Sequence, residues 1–102
     1  MKTYDAIVVG AGHNGLTNAA YLAKSGLNTL CVEKNEYIGG ATVSRNLYKD
    51  WKYSNCSYVC SLLRPEIYRD LDLARHGLPV TPYGRGSVFM ENGDYLRSYP
   101  HP

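Results

Sequence analysis

Six residues decide most of what the start of this chain can become: Gly10-Ala11-Gly12-His13-Asn14-Gly15, a G-x-G-x-x-G. A chain with ten glycines can produce that spacing by chance, so its surroundings carry the weight. Ala6-Ile7-Val8-Val9 precedes it as an unbroken apolar run, which predicts a parallel strand covered on both faces. Behind it the period changes. Leu16, Ala19, Ala20, Ala23 and Leu27 recur at three- and four-residue steps, the pattern of one helical face. Asn14 is the expected N-cap of that helix, and Gly26 the residue just past its end. Asn28 to Glu33 returns to strand character through Leu30, Cys31 and Val32. Strand, helix and strand in about thirty residues make a βαβ unit.

In that context each glycine has a steric task. Gly10 makes the tight turn out of the strand, Gly12 lets the backbone approach a pyrophosphate, and Gly15 lets the helix lie close to the sheet. The amide hydrogens and positive dipole end of the helix, from Ala11 to Asn14, then face two phosphates. Glu33 stands 18 residues beyond Gly15, where a carboxylate accepts hydrogen bonds from ribose hydroxyls. Its charge disfavours a 2′-phosphate, and hence NADP. The fingerprint alone leaves FAD and NAD open. Gly39-Gly40 follows soon after the acid, and two adjacent residues without side chains mark a second close backbone approach, which favours FAD.

The remainder is less regular. Residues 34–47 read as loop and 47–63 show no dominant period. A helix is predicted over 65–76, opened by Pro65, with Ile67, Leu71, Ala74 and Leu78 on one face and Gly77 closing it. Glu66 suits its positive end, and Arg75 and His76 its negative end. Pro79 to Tyr83 is at best an edge strand. Asn92-Gly93 between two strand-like runs predicts a hairpin over 87–99. The organisation expected is therefore α/β. A Rossmann-like dinucleotide-binding βαβ unit spans residues 1–45. An aromatic-rich extension spans 46–102, with loop, helix and hairpin, at the start of a substrate-side region.

With 102 residues, a net charge of +2 and 20% charged residues spread along the chain, neither nucleic-acid binding nor a polybasic membrane anchor is expected. No apolar run is long enough to span a bilayer, and the N-terminus carries neither a signal-peptide pattern nor an Arg-rich presequence. A cytoplasmic location is expected, with the mitochondrial matrix an alternative for a eukaryotic source. Cys31 reads as a small buried hydrophobe, and Cys56 and Cys60 as ordinary thiols, since no second cluster completes a metal site. His13 sits in a variable slot of the turn, and His101 in a terminal tail. Neither these nor His76 has a visible partner for acid–base chemistry, so no catalytic residue is assigned.

Tyr4 to Leu16 and Ile38-Gly39-Gly40-Ala41 resemble the phytoene desaturase-like FAD oxidoreductases, nearest to the branch of the pyridine nucleotide-disulphide oxidoreductase domain-containing protein 2 type. The likeness continues through Ser57-Tyr58, Ser61 to Pro65 and His76-Gly77-Leu78. It implies a flavoprotein that removes hydride from a C–C or C–N bond of a small, hydrophobic substrate. It also implies that Lys34, Gly39, Gly40 and Ala41 join Gly10, Ala11, Gly12, Asn14, Gly15 and Glu33 in holding FAD. Ser57, Tyr58 and Cys60 come near the flavin or substrate by the same analogy. The family usually has a basic residue where Ala41 stands; Arg45 lies nearby. Members of the family are much longer, so this chain is expected to be an incomplete, inactive N-terminal part with a missing C-terminal portion. Two other readings stay open: a stand-alone NAD or ADP-binding module, and a non-catalytic interaction protein that keeps the βαβ scaffold and uses its tyrosine-rich second half for contacts.

Overall fold

A computed structural model describes residues 2–82 and 86–98. The expected end of the hairpin at Tyr99, the tail with His101, and Tyr83 lie outside the described residues. Strand β1 (Ala6–Val9), helix α1 (His13–Lys24) and strand β2 (Thr29–Val32) form the βαβ unit. β1 and β2 pair in parallel, Ala6 opposite Thr29 and Val9 opposite Val32. Asp5 and Asn28 fasten the entry ends. Asp5 N–H donates to the Asn28 carbonyl at 2.9 Å, and Asn28 N–H donates to Asp5 Oδ2 at 2.8 Å.

α1 departs from expectation at its start. Gly12 is the N-cap, with extended backbone and no side-chain cap, and Asn14 is an exposed residue of the first turn. The chain leaves the glycine turn already aligned with the helix, so capping falls to a residue that has no side chain. The C-terminus follows the sequence. Gly26 takes φ +95°, its N–H bonds to the Ala23 carbonyl, and Leu27 N–H bonds to the Leu22 carbonyl. That crossed pair is a Schellman motif. Of the expected apolar face, Leu16, Ala19 and Ala20 are half-buried against the sheet, while Ala23 and Leu27 are exposed.

Among the described residues the covering of β1 on both faces is not found. Val8, beneath α1, is buried, whereas Ile7 and Val9 on the other face are 62% and 84% exposed. Cys31, opposite Val8 and so on the α1 side of the sheet, is only half-buried.

Residues 44–54, expected as loop and unpatterned chain, form an antiparallel hairpin of β3 (Ser44–Tyr48) and β4 (Trp51–Ser54). Position 45 therefore lies within a strand. A bulge between Asn46 and Tyr48 breaks the alternation, and the turn uses Lys49 at φ +49° rather than an Asn-Gly pair. Both features hide the hairpin from pattern reading.

Helix α2 (Pro65–Asp70) begins at Pro65 as expected and ends six residues before 76. Asp72 adopts φ +49°; its N–H bonds to the Arg69 carbonyl, and Leu73 N–H bonds to the Tyr68 carbonyl. This is a second Schellman closure, with Asp where Gly is usual. Gly77 (φ +90°) closes a separate turn that follows, so Arg75 and His76 do not sit on the α2 terminus. The last hairpin pairs β5 (Ser87–Phe89) with β6 (Tyr95–Arg97), shorter than expected. Its loop is Glu91-Asn92-Gly93, closed by Met90 N–H to the Asp94 carbonyl at 2.9 Å, with Gly93 at φ +88°. No helix among the described residues is long and apolar enough to cross a membrane.

Candidate functional site

The site lies at the carboxyl ends of β1 and β2, where open α/β sheets receive ligands. Gly10 ends β1 with its N–H still bonded to the Val32 carbonyl at 2.7 Å, and then turns at φ +99°. A side chain at Gly15 is excluded outright. Its Cβ would stand 1.9 Å from the Gly10 carbonyl oxygen and 3.6 Å from Val8 Cγ1. The third glycine is therefore a packing residue that lets α1 lie on the turn.

Gly12 is different. Its φ is −72°, open to any residue, and a Cβ there would meet nothing nearer than the Gly40 Cα at 3.9 Å. Among the described residues nothing in the packing demands a glycine at this point. The amide hydrogens of Asn14 and Gly15 find no acceptor among the described residues, as expected of an uncapped first turn.

Ala11, 3% exposed, connects the parts of the site. Its N–H donates to Glu33 Oε2 at 2.8 Å, and its carbonyl accepts from Gly39 N–H at 2.8 Å. Gly39 and Gly40 thus dock on the glycine turn. A Cβ on Gly40 would stand 3.0 Å from the Gly12 Cα, so the two backbones touch. A short 3-10 turn, Gly40–Thr42, follows. It carries Ala41 exposed and is closed by Thr42 N–H and Oγ1 donating to the Gly39 carbonyl.

Glu33 stands directly after β2 and is half-buried. Its Oε1 accepts from Asn35 N–H at 2.9 Å and Asn35 Nδ2 at 2.8 Å. Donation from the Asn35 amide and then the Ala11 amide holds its carboxyl below the usual carboxylate range, so it is anionic at neutral pH. A shallow groove of about 540 Å³ runs past it, lined by Val9, Gly10, Val32, Glu33, Lys34 and Asn35. The fold therefore brings Gly10, Ala11, Gly12, Gly15, Glu33, Lys34, Gly39 and Gly40 to one place. Asn14 lies on the exposed side of the first helical turn and Ala41 at the margin.

Sequence reasoning missed Asn35, whose only signal is its place two residues after the acid. Arg45, offered as a stand-in for the basic residue absent at Ala41, lies over the Tyr37 ring at 4.9 Å. Cys60 lines a separate groove of about 270 Å³ with Leu63, Pro65, Tyr68 and Val80, which shares no residue with the site. Tyr58 is 88% exposed, and Ser57 N–H bonds to Ser54 Oγ. His13 is exposed at the first position of α1.

Residues 8–72 match the family of NAD(P)-binding Rossmann-like domains. Pyridine nucleotide-disulfide oxidoreductase domain-containing protein 2 of Rattus norvegicus is 55% identical over 77 residues, which cover 76% of this chain and 13% of that protein. A limonene dehydrogenase polypeptide of Castellaniella defragrans is 35% identical over 95 residues, 91% of this chain and 17% of its own length. Digeranylgeranylglycerophospholipid reductase of Thermoplasma acidophilum is 56% identical over 39 residues, 38% of this chain and 10% of that protein. All three are oxidoreductases by name, and the chain spans between 10% and 17% of their length.

Proposed function

The chain belongs to the family of NAD(P)-binding Rossmann-like domains, and we propose that its glycine turn and Glu33 hold the ADP half of FAD, as the N-terminal cofactor-binding part of a flavin-dependent oxidoreductase. Gly12 carries this reading. It has room for a side chain within the protein and carries none, at the point where the open end of α1 meets the turn. A diphosphate lying on that bare backbone accounts for its absence. Glu33, anionic and beside the groove, supplies an acceptor for a ribose hydroxyl and repels a 2′-phosphate. Lys34 lines the same groove, and Ala41 follows the glycine pair. Gly39-Gly40, packed on Gly12, extends the side-chain-free surface, which suits a ligand that continues beyond ADP.

When bound, the flavin supplies the hydride acceptor. The residues of this chain bind and orient its nucleotide half. The relatives support a desaturase- or dehydrogenase-like reaction, and one named for limonene supports a small apolar substrate for the whole protein. The resemblance to phytoene desaturases points the same way.

Titration of the full chain with FAD, NAD and NADP, followed by calorimetry and flavin fluorescence, tests this. FAD is expected to bind most tightly, NAD more weakly and NADP weakest. Binding of NAD without FAD would replace the flavin reading with the nucleotide-module one. Failure of every ADP-containing ligand to bind would remove the site itself.

A further inference from the structure

We propose that Asn35 is a positioning residue that clamps the Glu33 carboxylate so that it offers a single free acceptor, restricting the site to a ligand that presents one sugar hydroxyl there. The inference rests on the reading of Glu33 as the ribose grip. It deepens that reading by assigning a role to a residue outside the G-x-G-x-x-G and acid pattern.

An ionised carboxylate has about four lone-pair sites on its two oxygens. Among the described residues, donors that meet hydrogen-bond geometry fill three of these sites in Glu33. Oε1 receives both Asn35 N–H at 2.9 Å and Asn35 Nδ2 at 2.8 Å, and Oε2 receives Ala11 N–H at 2.8 Å. The oxygen facing away from the glycine turn is thus filled by one residue, and the other oxygen keeps one site. The group is held at both ends, by the turn through Ala11 and by the post-strand bend through Asn35. Its rotation is fixed before a ligand arrives. Asn35 also lines the groove beside Glu33, so its amide is placed where a ligand passes.

Two consequences follow from one vacant acceptor. The 2′- and 3′-hydroxyls of a ribose are unequal at this site, because only one of them can donate to Glu33. Removing the Asn35 amide frees a second acceptor and loosens the carboxylate, so the inequality shrinks as overall affinity falls.

The experiment is calorimetric titration of the full chain with ADP, 2′-deoxy-ADP and 3′-deoxy-ADP, repeated for Asn35→Ala and Asn35→Asp. In the wild type one deoxy analogue is expected to lose about tenfold in affinity, the size of a lost hydrogen bond to a charged group, and the other less than about twofold. Asn35→Ala is expected to weaken ADP severalfold and to narrow the gap between the analogues, with its circular dichroism unchanged because the Asn35 side chain is exposed. Asn35→Asp, which sets a second negative charge beside Glu33, is expected to weaken ADP further. A purely structural role for Asn35 would shift all three affinities together and leave the gap intact. Equal losses for both analogues in the wild type, or an unchanged gap in Asn35→Ala, would overturn the inference while leaving the ribose site standing. Absence of ADP binding by the wild type would overturn the reading beneath it.

Discussion

Gly12 and Gly15 are three residues apart in one turn, yet different forces keep them small. At Gly15 the protein itself forbids a side chain, since a Cβ would stand 1.9 Å from the Gly10 carbonyl oxygen. At Gly12 the protein leaves room. Gly15→Ala is therefore expected to cost about 2 kcal/mol of stability through forced movement of α1. Gly12→Ala is expected to leave stability within about 0.5 kcal/mol while weakening ADP at least tenfold. Urea unfolding and calorimetry on the two variants separate these effects, and equal behaviour of the pair would refute the distinction. Most of the site was legible at this scale because steric exclusion acts on residue type. Gly10, Gly12, Gly15, Gly39, Gly40 and Glu33 declare themselves by what they lack or by their charge. Asn35 does not. Its role depends on where the Glu33 carboxylate points, which is a matter of rotamer and bend rather than of spacing.

Among the elements, those closed by local rules were the ones sequence could place. β1, α1 and β2 followed from apolar period, and Gly26 ended α1 where expected. α2 was overextended because Asp72 takes a left-handed conformation that periodicity cannot register. The β3–β4 hairpin was missed because Lys49 occupies a positive-φ turn position and a bulge breaks the two-residue alternation. α2 is tied to the βαβ unit by side chains of α1. Tyr21 Oη donates to Asp70 Oδ2 at 3.0 Å, and Lys24 Nζ donates to the Asp70 carbonyl. Burial and the bond to Asp70 push the Tyr21 hydroxyl up, and that same bond holds the Asp70 carboxyl down. Both shifts keep the hydroxyl protonated as the donor. Tyr21→Phe is expected to speed hydrogen exchange across residues 65–70 severalfold and leave β1 and β2 amides unchanged. Exchange that rises throughout, or nowhere, would show that this bond does not hold α2.

For the molecule as a whole, the site is better built than the body that carries it. The radius of gyration is 18.5 Å, against about 13 Å for a compact domain of this length. Among the described residues only Val8 and Ala11 form buried apolar core. The open face of the β1–β2 sheet shows Ile7, Val9 and Val32 at 62%, 84% and 38% exposure, where a parallel sheet is normally covered. The apolar run revealed the type of sheet, but a run cannot specify the layer that lies over it. Ala11 and Val8, by contrast, sit at the junction of turn, helix and strand, so the best-packed part of the chain is the part that forms the candidate ligand surface. On the proposed reading this junction receives a diphosphate and its ribose. Backbone amide NMR shifts of the full chain, recorded with and without ADP, test it most directly. The largest changes are expected at Gly10 to Gly15 and at Glu33 to Asn35, with β3 to β6 unmoved. Saturable ADP binding whose largest changes fall outside those two segments would contradict it.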